Sequence, residues 1–293
     1  MTNYLPAFVD AEVTIREALC AVGVAAGLNS AWWHGRDALR RHLPERALGS
    51  LIESVHLHLQ RGSGAVVVRL GPAVSPDSVR LLQLVLGESL GSILTIAPDE
   101  PGRPLFRISA VEGADRTGEY VGNAKKRSPI GFHTDGSGVA SPIGTLSMAC
   151  IRPASRGGET RLSDAKRVHA RLSDPARRVL EAPQPRENPY RRLPPDELVV
   201  LPVFDPLADL AFSYHPSRLR NGIQAVRGGL SEPETAALAE LEGLLEAAAI
   251  ELLLLAGDIL MIDNRRLAHD RRLFIDDPAS PRLLERLWIG LAV

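Results

Sequence analysis

The stretch "GDILMIDNRRLAHDRRLF", residues 257–274, decides how this chain is read. Its apolar run Ile259–Ile262, bounded by Gly257 and by Asp263-Asn264, has the length and the flanking residues of a buried strand. His269 follows that strand. Well upstream, "GFHTDGSG" (Gly131–Gly138) places His133 and Asp135 two positions apart between glycines. On a strand end, residues i and i+2 project to the same side, so both could reach one ion. The pair reads equally well as a polar turn in which Asp135 accepts from nearby backbone amides. His269, on a distant strand meeting the first across a barrel, would supply a third donor. Two imidazoles and one carboxylate on one face of a ferrous ion leave positions open for a chelating cosubstrate and oxygen.

The C-terminal "PRLLERLWIGL" adds Arg282 and Arg286 on a final strand. At i and i+4 they share a face, and a guanidinium holds a carboxylate through two parallel hydrogen bonds. "FSYHPSRLRNG" (Phe212–Gly222) gathers Tyr214, His215, Arg218 and Arg220, either as a solvated loop or as the border of a substrate site. "HLH" (His56 and His58) is a poor competitor for metal. Its surroundings are helical, and i and i+2 diverge by about 200° around a helix.

Composition narrows the class. The 293 residues are 45% hydrophobic and 24% charged, with a net charge of −1, an ordinary globular profile. No basic excess points to nucleic acid or an acidic membrane surface. "IELLLLAG" is too short to cross a bilayer. Cys20 and Cys150 are the only cysteines, too few and too far apart for a disulfide framework or a zinc site. "MTNYLPAFVDAE" has no basic segment followed by an apolar core, so no secretory signal is read there. These features predict a soluble cytoplasmic protein.

Residues 8–60 read as helical, rich in Ala, Leu, Glu and Arg with apolar positions every three to four residues. "GAVVVRLGP" (Gly64–Pro72) reads as a strand. "SPDSVRLLQLVLGESLG" reads as a helix with Ser75 as N-cap and Pro76 in its first turn. Beyond residue 104 short strands dominate: "TLSMACI", "ELVVLPV", "LAFSY", "DILMIDN" and "LLERLWIGL". One clear helix interrupts them, opening with Ser231 and Glu234 at capping-box spacing. Without linker, repeat or βαβ alternation, the pattern predicts one domain. It is mainly β with helical decoration, a sandwich or jelly roll.

Taken together, "HTD", "GGETRLSD", "GDILMIDNRRLAH" and "RLLERLW" resemble the Fe(II)- and 2-oxoglutarate-dependent oxygenases of the taurine dioxygenase and clavaminate synthase group. The resemblance covers roughly residues 60–293. In size and tail the chain is also similar to carbapenem synthase, a smaller member of that group. The resemblance implies a double-stranded β-helix (jelly roll) over residues 61–293, carrying a helical region 1–60, with all of 1–293 one domain. It implies ferrous iron held by His133, Asp135 and His269, and 2-oxoglutarate and O2 as cosubstrates. Thr160 and Arg282 would hold the far carboxylate of 2-oxoglutarate, and Arg286 its metal-bound end or an anionic substrate. Arg218 and Arg220 would suit a substrate carboxylate. "YVGNAKKRSP" has the composition of a mobile lid, with Asn123 and Arg127 as substrate contacts.

The activity implied is hydroxylation of an unactivated C–H bond in a small polar substrate. That substrate would be an amino acid, free or tethered to a carrier protein, or a natural-product intermediate. Desaturation, cyclisation or epimerisation of a cyclic intermediate uses the same ligands. Related halogenases replace the carboxylate ligand with a small residue, so an intact Asp135 argues against halogenation. A non-catalytic jelly-roll binding protein is the reading from another class.

Overall fold

Strands and helices are numbered here in chain order. In β13 (Asp258–Asp263) Ile259 and Met261 face one side while Leu260 and Ile262 face the other. All four are fully buried, because this strand is covered on both faces. It lies at the centre of a seven-stranded sheet ordered β1 (Ala7–Asp10), β2 (Ala65–Arg69), β13, β5 (Ile143–Arg152), β16 (Leu283–Gly290) and β3 (Ile93–Leu94). β4 (Phe106–Ile108) also pairs with β16. β1 runs parallel to β2, and the other pairs are antiparallel. The computed structural model from which these elements are taken describes residues 7–10, 16, 43–94, 104–110, 126–138, 143–188 and 198–291.

A second sheet, ordered β12 (Ile250–Leu252), β7 (Thr160–Asp164) and β14 (Leu267–Arg271), faces the first. Between them Val67, Leu146, Leu260 and Leu284 meet Leu162, Leu252 and Leu267 in one apolar cluster. Fully burying such side chains stabilises the fold by about 1.5–3 kcal/mol each. Among the described residues there are also three two-stranded pairs. They are β6 (Arg156–Gly157) with β15 (Phe274–Ile275), β8 (Gln184–Arg186) with β9 (Val199–Leu201), and β10 (Phe204–Asp205) with β11 (Ala211–Phe212).

Helices close both outer faces. α1 (Glu45–Gln60) and α2 (Pro76–Leu90) bury Leu51, Val55, Leu82 and Leu86 against Val66, Val68, Met261 and Ile289 of the large sheet. Ser75 caps α2 as expected, accepting from the Ser78 amide at 3.2 Å. Over the small sheet lie α3 (Ala165–His169), α4 (Asp174–Glu181), α5 (Pro216–Arg227) and α6 (Glu232–Ala247). Their apolar faces gather around Phe204, Phe212, Tyr214 and Leu241. The Ser231–Glu234 capping box that opens α6 is complete.

The helical reading of residues 8–60 needs correction. Phe8–Asp10 belong to strand β1, whose pairing with β2 outweighs local propensity; Arg16 is helical, and helix runs again over Glu45–Gln60. His56 and His58 do lie on that helix, and the His56 imidazole contacts the Ser89 carbonyl at 3.0 Å. Residues 11–15 and 17–42, Asn123 and most of the stretch read as a lid lie outside the described residues. No described helix is long and apolar enough to cross a membrane.

Candidate metal centre

Two strands from opposite ends of the motif map meet at the site. His133 and His269 are direct antiparallel partners in an isolated β-bridge. The His133 amide donates to the His269 carbonyl at 3.0 Å, and the His269 amide donates back at 2.9 Å. This places the two imidazoles side by side, ring centroids 4.3 Å apart. His269 lies on a strand, as its spacing suggested: it is inside β14, which pairs with β7. The loop bearing His133 turns at Gly131 and Gly136, whose φ angles of 85° and 71° a side chain would rarely accept.

Asp135 completes the group. Its Oδ1 lies 3.8 Å from the Nε2 of each histidine. One donor atom from each of the three side chains lies within 4.8 Å of the other two. All three residues are buried, at 6–9% exposure, and among the described residues this is the one such cluster suited to an ion.

Several contacts hold the three donors in place. His133 Nδ1 lies 2.9 Å from the Gly131 carbonyl, which can only accept, so Nδ1 carries the proton. Burial, and then His269 and His215 nearby, hold the His133 imidazole well below its ordinary pKa and therefore neutral. Its Nε2 is left as a lone pair facing Asp135. Gly131 is itself held, since Asp270 Oδ1 accepts from its amide at 3.0 Å and from that of Ile130 at 3.2 Å. Thr134 interlocks with Tyr214: its amide donates to the Tyr214 carbonyl at 2.7 Å, and its hydroxyl accepts from the Tyr214 amide at 3.0 Å.

Asn264 works as a small piece of backbone. Its amide accepts from the Asp135 N–H and donates to the Asp135 carbonyl, both at 3.0 Å. Burial pushes the Asp135 carboxyl upward, but the Arg286 guanidinium and then the two histidines outweigh it and hold the group far below the carboxylate range. Asp135 is therefore charged, His133 is neutral, and the three buried donors converge. That is the donor set and electrostatic state a divalent cation requires.

Arg282 marks a second feature. It is 5% exposed, and no described acidic side chain pairs with its guanidinium. Burial pushes its pKa down to about 10, which leaves it a cation at neutral pH. It lies over the Phe274 ring, 5.1 Å from the centroid. A Cβ added to Gly158 would come within 3.5 Å of its Nε, so the "GGET" turn that leads to Thr160 passes directly beside it. Thr160 opens β7 and is buried. A buried guanidinium with no ion-pair partner suits an anionic ligand such as a carboxylate.

The other predicted residues divide. Arg286 is brought to the site, but its guanidinium is ion-paired with Asp135 Oδ2 at 2.9 Å, so the first duty of this side chain is to the carboxylate. Arg218 is buried and pairs with Glu187 at 3.3 Å. Arg220 turns to α6, pairing with Glu242 at 2.9 Å, and is not grouped with the three donors. Arg127 is half-buried between the Lys126 and Ser128 carbonyls, both of which accept from Arg271. His215, noted in the sequence only as a neighbour, lies 5.2 Å from the His133 ring. Burial and then Arg218 push its pKa down to about 4.

Trp288, Asn264 and Asp270 were missed. Trp288 shares Arg286's strand face at i+2, a signal that was available. Asn264 and Asp270 lie inside the decisive stretch itself, but their partners are far away in sequence.

Comparison with known proteins identifies a family. A family model described as "Taurine catabolism dioxygenase TauD, TfdA family" matches residues 35–288. A Streptomyces uridine-5'-phosphate dioxygenase is 33% identical over 215 residues, covering 69% of this chain and 73% of that protein. Among solved structures, an asparagine oxygenase superposes with a TM-score of 0.77 at 18% identity, covering 99% of this chain and 94% of the other. The non-heme iron oxygenase OrfP, in complex with Fe and alpha-ketoglutaric acid, does so with a TM-score of 0.70 at 18% identity, covering 97% and 94%.

Proposed function

The chain belongs to the TauD/TfdA family of dioxygenases, and from that premise we propose that it hydroxylates an unactivated C–H bond of a small polar substrate, with His133, Asp135 and His269 as its iron ligands. The family membership makes it a non-haem iron, 2-oxoglutarate-dependent oxidoreductase and sets aside a non-catalytic binding protein. When bound, ferrous iron and 2-oxoglutarate supply the oxidising chemistry, consuming O2 and releasing succinate and carbon dioxide.

The protein's part is placement. His133 and His269 present imidazole nitrogen donors, and Asp135 presents Oδ1. Arg282, with Thr160, receives the far carboxylate of the cosubstrate. The observation that carries this reading is the coincidence of three converging buried donors with a buried guanidinium that no described acidic side chain ion-pairs. The two sheets facing across one apolar core are read as the halves of a double-stranded β-helix, in one domain spanning 1–293.

Two substrate classes are in view. The first is an amino acid, free or carrier-tethered, or a related biosynthetic intermediate. The asparagine oxygenase likeness and the OrfP structure in complex with a hydroxyarginine support it. The second is a nucleoside 5'-phosphate, favoured by the similarity to a uridine-5'-phosphate dioxygenase. Arg218 beside His215 suits an anionic group of either class. A succinate-release screen over amino acids and nucleoside monophosphates separates the classes. Product mass then separates the reactions: hydroxylation adds one oxygen, desaturation or oxidative cyclisation removes two hydrogens, and epimerisation changes nothing. No succinate above background from either set would overturn both assignments.

A further inference from the structure

The two oxygens of Asp135 have separate surroundings. Oδ1 faces the imidazoles, 3.8 Å from each Nε2. Oδ2 points the other way: it accepts a hydrogen bond from the Trp288 indole Nε1 at 2.7 Å and is ion-paired with Arg286 Nη1 at 2.9 Å. Both donors come from alternate positions of β16, so they reach the carboxylate from one strand face. They are also held to each other. The Arg286 guanidinium lies 4.6 Å from the Trp288 ring centroid and 4.7 Å from that of Phe106 on the opposite partner strand, β4. The Asp135 main chain is separately fixed by Asn264, so the side chain keeps only its own torsions, and the two β16 donors take those up.

We propose that Trp288 and Arg286 are positioning residues for the iron ligand: together they hold Oδ2 away from the ion, so that Asp135 presents Oδ1 alone. This inference rests on the reading of His133, Asp135 and His269 as the iron site. A carboxylate free to rotate must be ordered each time an ion binds, and it can turn either oxygen to it. One whose outer oxygen already accepts a hydrogen bond from Trp288 and is ion-paired with Arg286 is ordered beforehand. Arg286 thereby acquires a duty that precedes the arrival of cosubstrate or substrate. Trp288 acquires one that its apolar surroundings would not suggest.

The test is anaerobic ferrous-iron binding to the metal-free protein, first without cosubstrate and then with 2-oxoglutarate. It compares wild type with Trp288→Phe, which keeps a ring but loses the donor, and Arg286→Lys, which keeps the charge but loses the fork. Thermal melting of each metal-free protein is measured alongside. The expected result is iron binding weakened about tenfold in both variants before any cosubstrate is added, the usual scale for losing an outer partner of a metal ligand. Melting of the metal-free proteins stays near wild type. A purely structural Trp288 would lower the melting temperature and leave iron affinity alone. An Arg286 that serves only cosubstrate or substrate would change the 2-oxoglutarate titration and leave the iron step alone. Wild-type iron affinity in either folded variant overturns the proposal. Should Trp288→Phe not fold, Arg286→Lys decides by the same iron step. Absence of iron binding in wild type itself would instead overturn the site assignment beneath it.

Discussion

Asp135 shows how much one side chain depends on partners far from it in sequence. Its own position was legible, because His-x-Asp between glycines is a compact pattern. Its partners Asn264, Arg286 and Trp288 were not, because nothing local links them to it. Arg282 is the opposite case. Its place in the motif order pointed to a carboxylate, and it is buried with no described acidic side chain ion-paired to its guanidinium. A hydrogen bond to a charged group is worth about 1.5–3 kcal/mol. Arg282→Ala is therefore expected to weaken 2-oxoglutarate binding by roughly one to two orders of magnitude. Iron affinity measured without cosubstrate should stay at the wild-type value. Anaerobic titration of the charge-transfer absorbance reads both, and an unchanged cosubstrate midpoint would remove Arg282 from the site.

The elements were read well where a periodicity or a cap dominates and poorly where pairing decides. Ser75 and the Ser231–Glu234 box were legible because capping needs only residues close in sequence. β1 was not, because four residues become a strand only beside β2. The α6 box carries its own prediction. Ser231→Ala removes the cap and should cost about 1 kcal/mol, read by denaturant unfolding. Burial pushes the Glu234 carboxyl upward, but its bonds from the Ser231 amide and hydroxyl and its pairing with Arg227 outweigh this and leave it below its ordinary value. A lowered folded-state pKa means this contribution is fully present above the unfolded value of about 4.5 and is lost as pH falls through the folded one. Glu234→Gln should therefore flatten the acid limb of the stability curve below that pH. A limb as steep as wild type would show that the box is not pH-linked.

For the molecule as a whole, stability and function are joined at the β-bridge between His133 and His269. The loop from β11 to α5, the segment before β5 and the small sheet all converge there, through Tyr214, Thr134 and Asp270. An ion bound across that junction ties these parts together and binds only the folded state. With ligand at about a hundred times its dissociation constant, the gain is about 2.7 kcal/mol. For a chain of this size that is a rise of roughly 5 °C in melting temperature. Adding ferrous iron with 2-oxoglutarate under anaerobic conditions should raise wild-type melting by that order. His133→Ala should show no rise, and an equal rise there would place the ion elsewhere.

By itself the sequence determined the chemistry of this protein. Imidazole, carboxylate and guanidinium groups stand in a fixed order with the hydrophobic alternation of strands between them, and residue type and local period are properties of neighbours along the chain. Only the tertiary structure decided which oxygen of Asp135 faces the histidines, that Arg286 answers first to that carboxylate, and that Arg220 belongs to α6. Those choices are made between side chains brought together from distant strands and helices. They depend on the register of β16 and β14 and on the packing of two sheets, where the cost of leaving a buried charge or amide unpaired selects one arrangement.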